Sequence, residues 1–187
     1  MSKKMYFLVS GFVFWAAVVS AQQKTSFSSQ NYVGITEGEA GTSFQLQTIN
    51  GLRYETWFGG IGTGLDYYYL RSMPLFFSLS KSLNNKKRSF FISGDAGINF
   101  PWAAKSEYYS YYGIQKYFPG AYWASGIGYK IGLRGNDALL FTIGYSYKRL
   151  KGESEYELPC LNPPCPVNKD RFDYNLKRIS LRAGWMF

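Results

Sequence analysis

Histidine is absent from this 187-residue chain, cysteine occurs only twice, and beyond residue 19 no apolar run is long enough for a membrane-spanning helix. The missing histidine removes the usual general base of serine-type and lipid-cleaving hydrolases, so no enzyme is expected. Two thiols fall short of the four N or S ligands a structural zinc site takes, so neither metal nor cofactor is expected. Without a spanning helix, any membrane crossing requires a closed β-barrel, because lipid offers no partner to an open sheet edge. Acidic residues are also scarce: 12 against 21 lysines and arginines, a formal charge of +9. Such an excess suits nucleic acid, but export and the scatter of the charges through turns and loops argue against that partner.

Export is written at the N-terminus. Lys3 and Lys4 precede an apolar stretch over residues 5–19, and Val19-Ser20-Ala21 supplies small residues for cleavage before Gln22. The stretch is short for a ~30 Å hydrocarbon core, and polar Gln22-Gln23-Lys24 follows directly, which predicts a cleaved signal peptide over 1–21. Its loss lowers the net charge to +7 and leaves 166 residues, enough for one domain. Residues 22–30 read as a flexible lead and 31–187 as the folded domain.

That domain carries 17 tyrosines, 15 phenylalanines and 20 glycines, arranged in alternating rather than helical periods. The end of the chain is the clearest case. Ile179, Leu181, Ala183, Trp185 and Phe187 fall on one face of an extended strand, and Arg178, Ser180, Arg182, Gly184 and Met186 on the other. Similar strands are predicted over 31–37, 43–49, 52–69, 73–83, 90–100, 123–133, 139–148 and 175–187. Asn50-Gly51 reads as a two-residue hairpin turn between the second and third. That register places Gln45 and Gln47 on one face with Phe58, Gly60, Gly62 and Gly64, and Phe44 and Leu46 on the other with Trp57, Ile61, Leu65, Tyr67 and Tyr69. Gly60-Ile61-Gly62-Thr63-Gly64 is no nucleotide loop, because the strand alternation continues through Leu65-Asp66-Tyr67 where a helix would be needed.

Eight strands, tight turns at one end and longer loops at the other describe an all-β, antiparallel, up-and-down transmembrane barrel. Its apolar face would contact outer-membrane lipid, with Trp57, Tyr69, Trp102, Trp123, Tyr147 and Trp185 in interfacial girdles. The opposite face is rich in Gly, Ser, Thr and Gln and collects Asp66, Asp95, Lys130, Arg178 and Arg182. In so narrow a lumen these charges must pair, and coupling of Asp95 to Arg178 is the expected signature. Two other architectures share the alternation: a narrow solute channel, and a soluble periplasmic lipocalin-like carrier holding an apolar ligand.

Gly-x-Gly-x-Gly in the third strand, Asp66-Tyr67-Tyr68-Tyr69, Ser72-Met73-Pro74-Leu75-Phe76, Asp95-Ala96-Gly97-Ile98-Asn99-Phe100-Pro101-Trp102 and terminal Phe187 resemble small outer-membrane β-barrel proteins of Bacteroidota, with an architecture similar to the OmpA-type barrel. The resemblance implies export through the Sec pathway to a Gram-negative outer membrane. It also implies that the barrel-assembly machinery reads Ile179, Leu181, Ala183, Trp185 and Phe187. The tyrosine-rich loop at 101–120 and the longer one at 150–174 are the candidate surfaces for an extracellular ligand in adhesion or envelope structure. In an exported protein Cys160 and Cys165, four residues of loop apart, are expected to form a disulfide that shapes the loop tip.

Overall fold

The computed structural model describes residues 25–102, 109–110, 113–158 and 165–187. The signal peptide over 1–21 lies outside them. Ten antiparallel strands follow one another: β1 (Thr25–Gly38), β2 (Gly41–Tyr54), β3 (Trp57–Asp66), β4 (Ser72–Ser82), β5 (Arg88–Pro101), β6 (Tyr109–Ser110), β7 (Gly113–Phe118), β8 (Gly120–Gly132), β9 (Ala138–Glu157) and β10 (Val167–Met186). Eight of them close into a ring in the order β1-β2-β3-β4-β5-β8-β9-β10, with β10 returning to β1. Closure is sealed where Ser29 and Phe187 exchange backbone hydrogen bonds of 2.8 and 3.0 Å. The strands are staggered. Paired residues traced from Gly38 through Arg178, Ser146, Ala124, Asp95, Ser78, Gly60 and Gly51 return to β1 at Ser28, ten residues from the start. This shear tilts the strands and fixes which side chains share a level inside.

The start of β1 at Thr25, the C-terminus and the short turns after β2, β4 and β8 lie at one end, here called lower, as the eight-stranded pattern predicts. The upper end differs from expectation. The segment 150–174 is not a long loop, because β9 and β10 run on as a twenty-residue hairpin paired as far as Glu157 and Val167. The tyrosine-rich segment supplies β6 and β7, and β7 adds to the free edge of β9. A sheet of β7, β9 and β10, with the two-residue β6 paired to β7, therefore rises above the ring. Its alternation is hidden in sequence because the outer face carries charged residues such as Lys151, Glu153, Glu155, Lys169, Arg171 and Asp173 where the barrel strands carry apolar ones.

Two further boundaries move. Residues 25–30 belong to β1 instead of a flexible lead, since all of β1 is paired with β2. The β2–β3 turn is at Glu55-Thr56, five residues beyond Asn50-Gly51, and Glu55 takes the positive φ of 53°. Gly51 instead sits directly opposite Gly60, where a Cβ on either would collide with the facing backbone. The glycine that looked like a turn residue is a close-approach residue. The displacement is even in register, so residues 43–49 and 57–66 keep their predicted faces, while Leu52 and Tyr54 turn outward and Arg53 inward because β2 runs on through them.

Those faces are sharply different. Outside, Ile61, Phe77, Ile127, Ile143 and Ile179 are 55–72% exposed and belong to an apolar belt running round the ring. Aromatic side chains border it, Trp57 and Trp185 below and Trp102, Trp123 and Tyr147 above, with Lys81 and Arg71 stacked on Trp57 and Trp102 at 4.7 and 4.5 Å. Inside, the lower half is filled by Ile49, Phe58, Phe76, Phe91, Leu140 and Met186. Gly62 and Gly128 give the Phe76 and Phe91 rings their room. An apolar exterior around a filled interior is the inverse of a lipocalin-like carrier.

Replacing Gly60 with valine should lower the stability of the detergent-folded barrel by about 1–3 kcal/mol, the cost of overpacking. Urea unfolding measures it; an unchanged midpoint would mean that β2 and β3 are not paired at Gly51.

Candidate functional site

The upper half of the lumen holds the charges, and they fall into two clusters. In the first, Asp66 ends β3 and points inward. Its carboxylate accepts from Arg178 of β10, from the Tyr68 backbone N–H at 2.9 Å, and lies 3.5 Å from the Lys148 ammonium. Lys148 in turn donates to the Tyr68 carbonyl at 2.7 Å, the Ser72 hydroxyl at 3.0 Å and the Leu70 carbonyl at 3.3 Å. The side chains of Arg178 and Lys148 are fully enclosed.

These bonds tie down the connection between β3 and β4. At its centre Tyr69 has φ 63°, and the Leu70 N–H donates to the Tyr68 carbonyl at 2.8 Å, a γ-turn. Such a turn is rare and strained for a non-glycine residue, at roughly 1–3 kcal/mol. The strain turns Tyr68 and Leu70 inward on either side of it, where both are buried. The Tyr68 ring stacks against Arg178 at 5.3 Å, and its hydroxyl accepts from the Ala40 N–H at 2.8 Å, bracing the short β1–β2 turn. Leu150 of β9 packs on Leu70, with Tyr117 and Tyr174 against them. The connection is a cork in the upper mouth, and the lysine and arginine are its fasteners.

The second cluster is one layer lower. Arg182 donates to Gln47 at 2.7 Å and to Thr142 at 3.1 Å, and reaches Asp95 at 3.5 Å. Gln47 also donates to the Tyr122 hydroxyl at 3.0 Å, and Arg182 stacks on Tyr32 at 5.2 Å. At 3.5 Å the Arg182–Asp95 pair is the looser of the two; one Asp95 oxygen here, and two Arg178 nitrogens in the upper cluster, have no hydrogen-bond partner among the described residues.

Four of the five predicted network residues are thus brought together, but as Asp66–Arg178 and Asp95–Arg182. The expected Asp95–Arg178 coupling is not formed. Lys130 is absent from both clusters; it sits at the lower mouth beside Arg53, because the ten-residue shear carries its place on β8 far below Asp66. The lysine that does reach Asp66 is Lys148. Its inward parity was legible in the sequence, but the cork that makes it a ligand was not.

The Lys148–Ser72 spacing is one that Ser–Lys hydrolases use to activate a nucleophile. Here both groups are wholly buried beneath Tyr68 and Leu70, which leaves a substrate carbonyl no approach. Of the predicted loop disulfide, Cys160 lies outside the described residues and Cys165 is not free.

Above the cork stands the sheet of β7, β9 and β10. Its outer face alternates in charge: Glu155 accepts from Lys169 at 2.7 Å and Lys116 at 3.2 Å, and Arg149 clasps Asp173 at 2.9 and 3.2 Å. The bonds from Lys169 and then Lys116 hold the Glu155 carboxyl below its ordinary pKa. Tyr69, Tyr174 and Phe172 form an aromatic row, with ring centres 4.9 and 6.3 Å apart.

Asp66→Asn should cost about 3–5 kcal/mol, because it leaves two enclosed cations without their carboxylate, and Asp95→Asn should cost less. In double-mutant cycles on the detergent-folded barrel, Asp66 should couple to Arg178 and Asp95 to Arg182, while Asp95 and Arg178 combine additively. The reverse pattern in urea midpoints would overturn the pairing.

No protein-family model matches the chain, and no curated protein matches its sequence. Two solved structures are similar in shape. Neisserial surface protein A, NspA, is 11% identical over 88% of this chain and 98% of its own, with a TM-score of 0.57. The outer membrane protein OprG from Pseudomonas aeruginosa is 12% identical over 87% and 94%, with a TM-score of 0.48. At this identity the likeness to NspA is one of fold: this chain has the closed, eight-stranded antiparallel ring of an outer-membrane barrel.

Proposed function

We propose that the protein is a non-enzymatic integral outer-membrane barrel that acts in envelope structure or adhesion through its upper sheet. The observation that carries this reading is the direction of its faces. Side chains such as Phe77, Ile127 and Ile143 point outward in a belt around the ring, while Asp66, Asp95, Arg178 and Arg182 are buried within it. In water such a belt would exceed any patch a soluble monomer keeps exposed. In lipid it is the expected surface, bordered by aromatic and cationic side chains as at a membrane interface.

The lumen supports a closed scaffold over a channel. The apolar core fills the lower half and the cork fills the upper mouth. The working surface is then the part that rises above the bilayer, with its aromatic row and its charged outer face. NspA is by its name a surface protein, which agrees with this assignment.

Biogenesis follows from the same reading. Residues 1–21 direct export through the Sec pathway of a Gram-negative cell. The outward face of β10, Ile179, Leu181, Ala183, Trp185 and Phe187, is presented to the barrel-assembly machinery. A disulfide between Cys160 and Cys165 suits the oxidising exterior.

Fractionation should place the protein in the outer membrane, needing detergent for release and shifting in gel mobility on boiling; recovery in the soluble periplasm would overturn the reading. Planar bilayers containing it should show no conductance steps. Deleting Phe187 removes both the terminal ring and the two closing hydrogen bonds to Ser29, and should impair assembly severely. Phe187→Ala keeps the backbone pair and should assemble at an intermediate level, as judged by the heat-modifiable fraction. Intact mass should fall about two daltons below the reduced value.

A further inference from the structure

At the lower mouth of the barrel is a small vestibule that the ion clusters above do not reach. Its cavity of about 20 Å³ is lined on the polar side by Gln30, Arg53, Thr56, Ser80, Ser82 and Lys130, and its inner wall is the apolar core. Two cations, Arg53 and Lys130, share this lining. Among the described residues, no carboxylate lines the cavity. Each upper cluster, by contrast, gives its cations an aspartate partner. The described contacts of the Arg53 guanidinium are Met186 sulfur and the Ser28 hydroxyl, the latter at 3.5 Å. Neither neutralises it.

Like charges brought together at a half-buried site cost stability unless an anion joins them. The remaining lining groups, three hydroxyls and an amide, can all donate to such an anion. The space takes about one water-sized group, enough for the leading oxygens of a larger oxyanion whose remainder stays at the mouth. The rim would collect it. Lys81, Lys86, Lys87, Arg88 and Arg134 are exposed around the lower turns, against only Glu55 and Asp137. Of the mature net charge, most resides at this end, and a cationic rim around a recess focuses anions into it.

We propose that this vestibule is a phosphate-binding site, with Arg53 and Lys130 as its two charged ligands and Ser80 and Ser82 as hydroxyl donors. The phosphate is either free or the headgroup of an anionic phospholipid at the lower edge of the belt. The site belongs to the folded barrel, so it stands or falls separately from the assignment to the outer membrane.

The test uses the full mature barrel folded in a neutral detergent, with thermal unfolding followed by heat-modifiable gel mobility. Inorganic phosphate and dihexanoylphosphatidate are titrated in parallel, with sodium chloride matching the ionic strength. Saturable stabilisation by either phosphate probe, absent with chloride, supports the site. If inorganic phosphate suffices, the ligand is the free ion; if only the lipid acts, it is the headgroup. Lys130→Gln and Arg53→Gln should each weaken the apparent affinity roughly tenfold, the loss of one charge-assisted hydrogen bond. At low salt without phosphate, Lys130→Gln should unfold at a higher temperature than the wild type, because one of two repelling charges is gone. Equal stabilisation of wild type and the double variant, or none by either probe, overturns the proposal.

Discussion

Pairing of the first strand with the last is the constraint on which the rest depends. Once β1 and β10 join, the ring of eight strands leaves no open edge within the belt, and the ten-residue stagger fixes both its tilt and its bore. The bore is too narrow for an aqueous pore, so every inward residue must fit against those across from it. That requirement explains the glycines opposite Phe76 and Phe91, which make room for rings that reach across the interior. It also explains why the charges are so tightly bonded: a cation in this space can reach a carboxylate, a carbonyl or a ring face, but little solvent.

The stagger also decides which charges meet. Arg178 and Arg182 are two periods of the alternation apart on β10, yet they serve different aspartates, on β3 and β5. The upper pair does more than neutralise charge. With Lys148 it holds the 67–71 connection inside the mouth against the cost of the γ-turn at Tyr69. A single buried cluster therefore joins the packing of the barrel to the shape of its upper surface, since Leu70 and Leu150 support the tyrosines from which the outer sheet begins.

The two mouths are built on opposite plans. Above, each cation has an aspartate partner, and the upper cluster is enclosed by a loop. Below, Arg53 and Lys130 share a recess without a carboxylate, beneath a rim of exposed lysines and arginines. The belt between the two ends is predominantly apolar and carries no charge to match, so the charge asymmetry lies along the barrel axis and gives the molecule a distinct lower pole.

Much of this was legible in the sequence because side-chain period in a strand is two. Alternation alone assigned the inward face of Asp66, Asp95, Arg178 and Arg182 and the outward face of Ile179 to Phe187. Those assignments survived even where the β2–β3 turn was misplaced, since an even shift preserves parity. The upper hairpin escaped because its strands leave the apolar belt and carry charge on the outer face.

What the sequence by itself determined was therefore the class of fold and the two faces of each strand. Only the tertiary structure decided the partners. It paired Arg178 with Asp66, placed Lys148 beneath the cork and sent Lys130 to the lower mouth. Periodicity reports direction from the local backbone, whereas a partner across the lumen depends on shear and on a turn at Tyr69 that closes over the mouth, neither of which any local stretch of residues encodes.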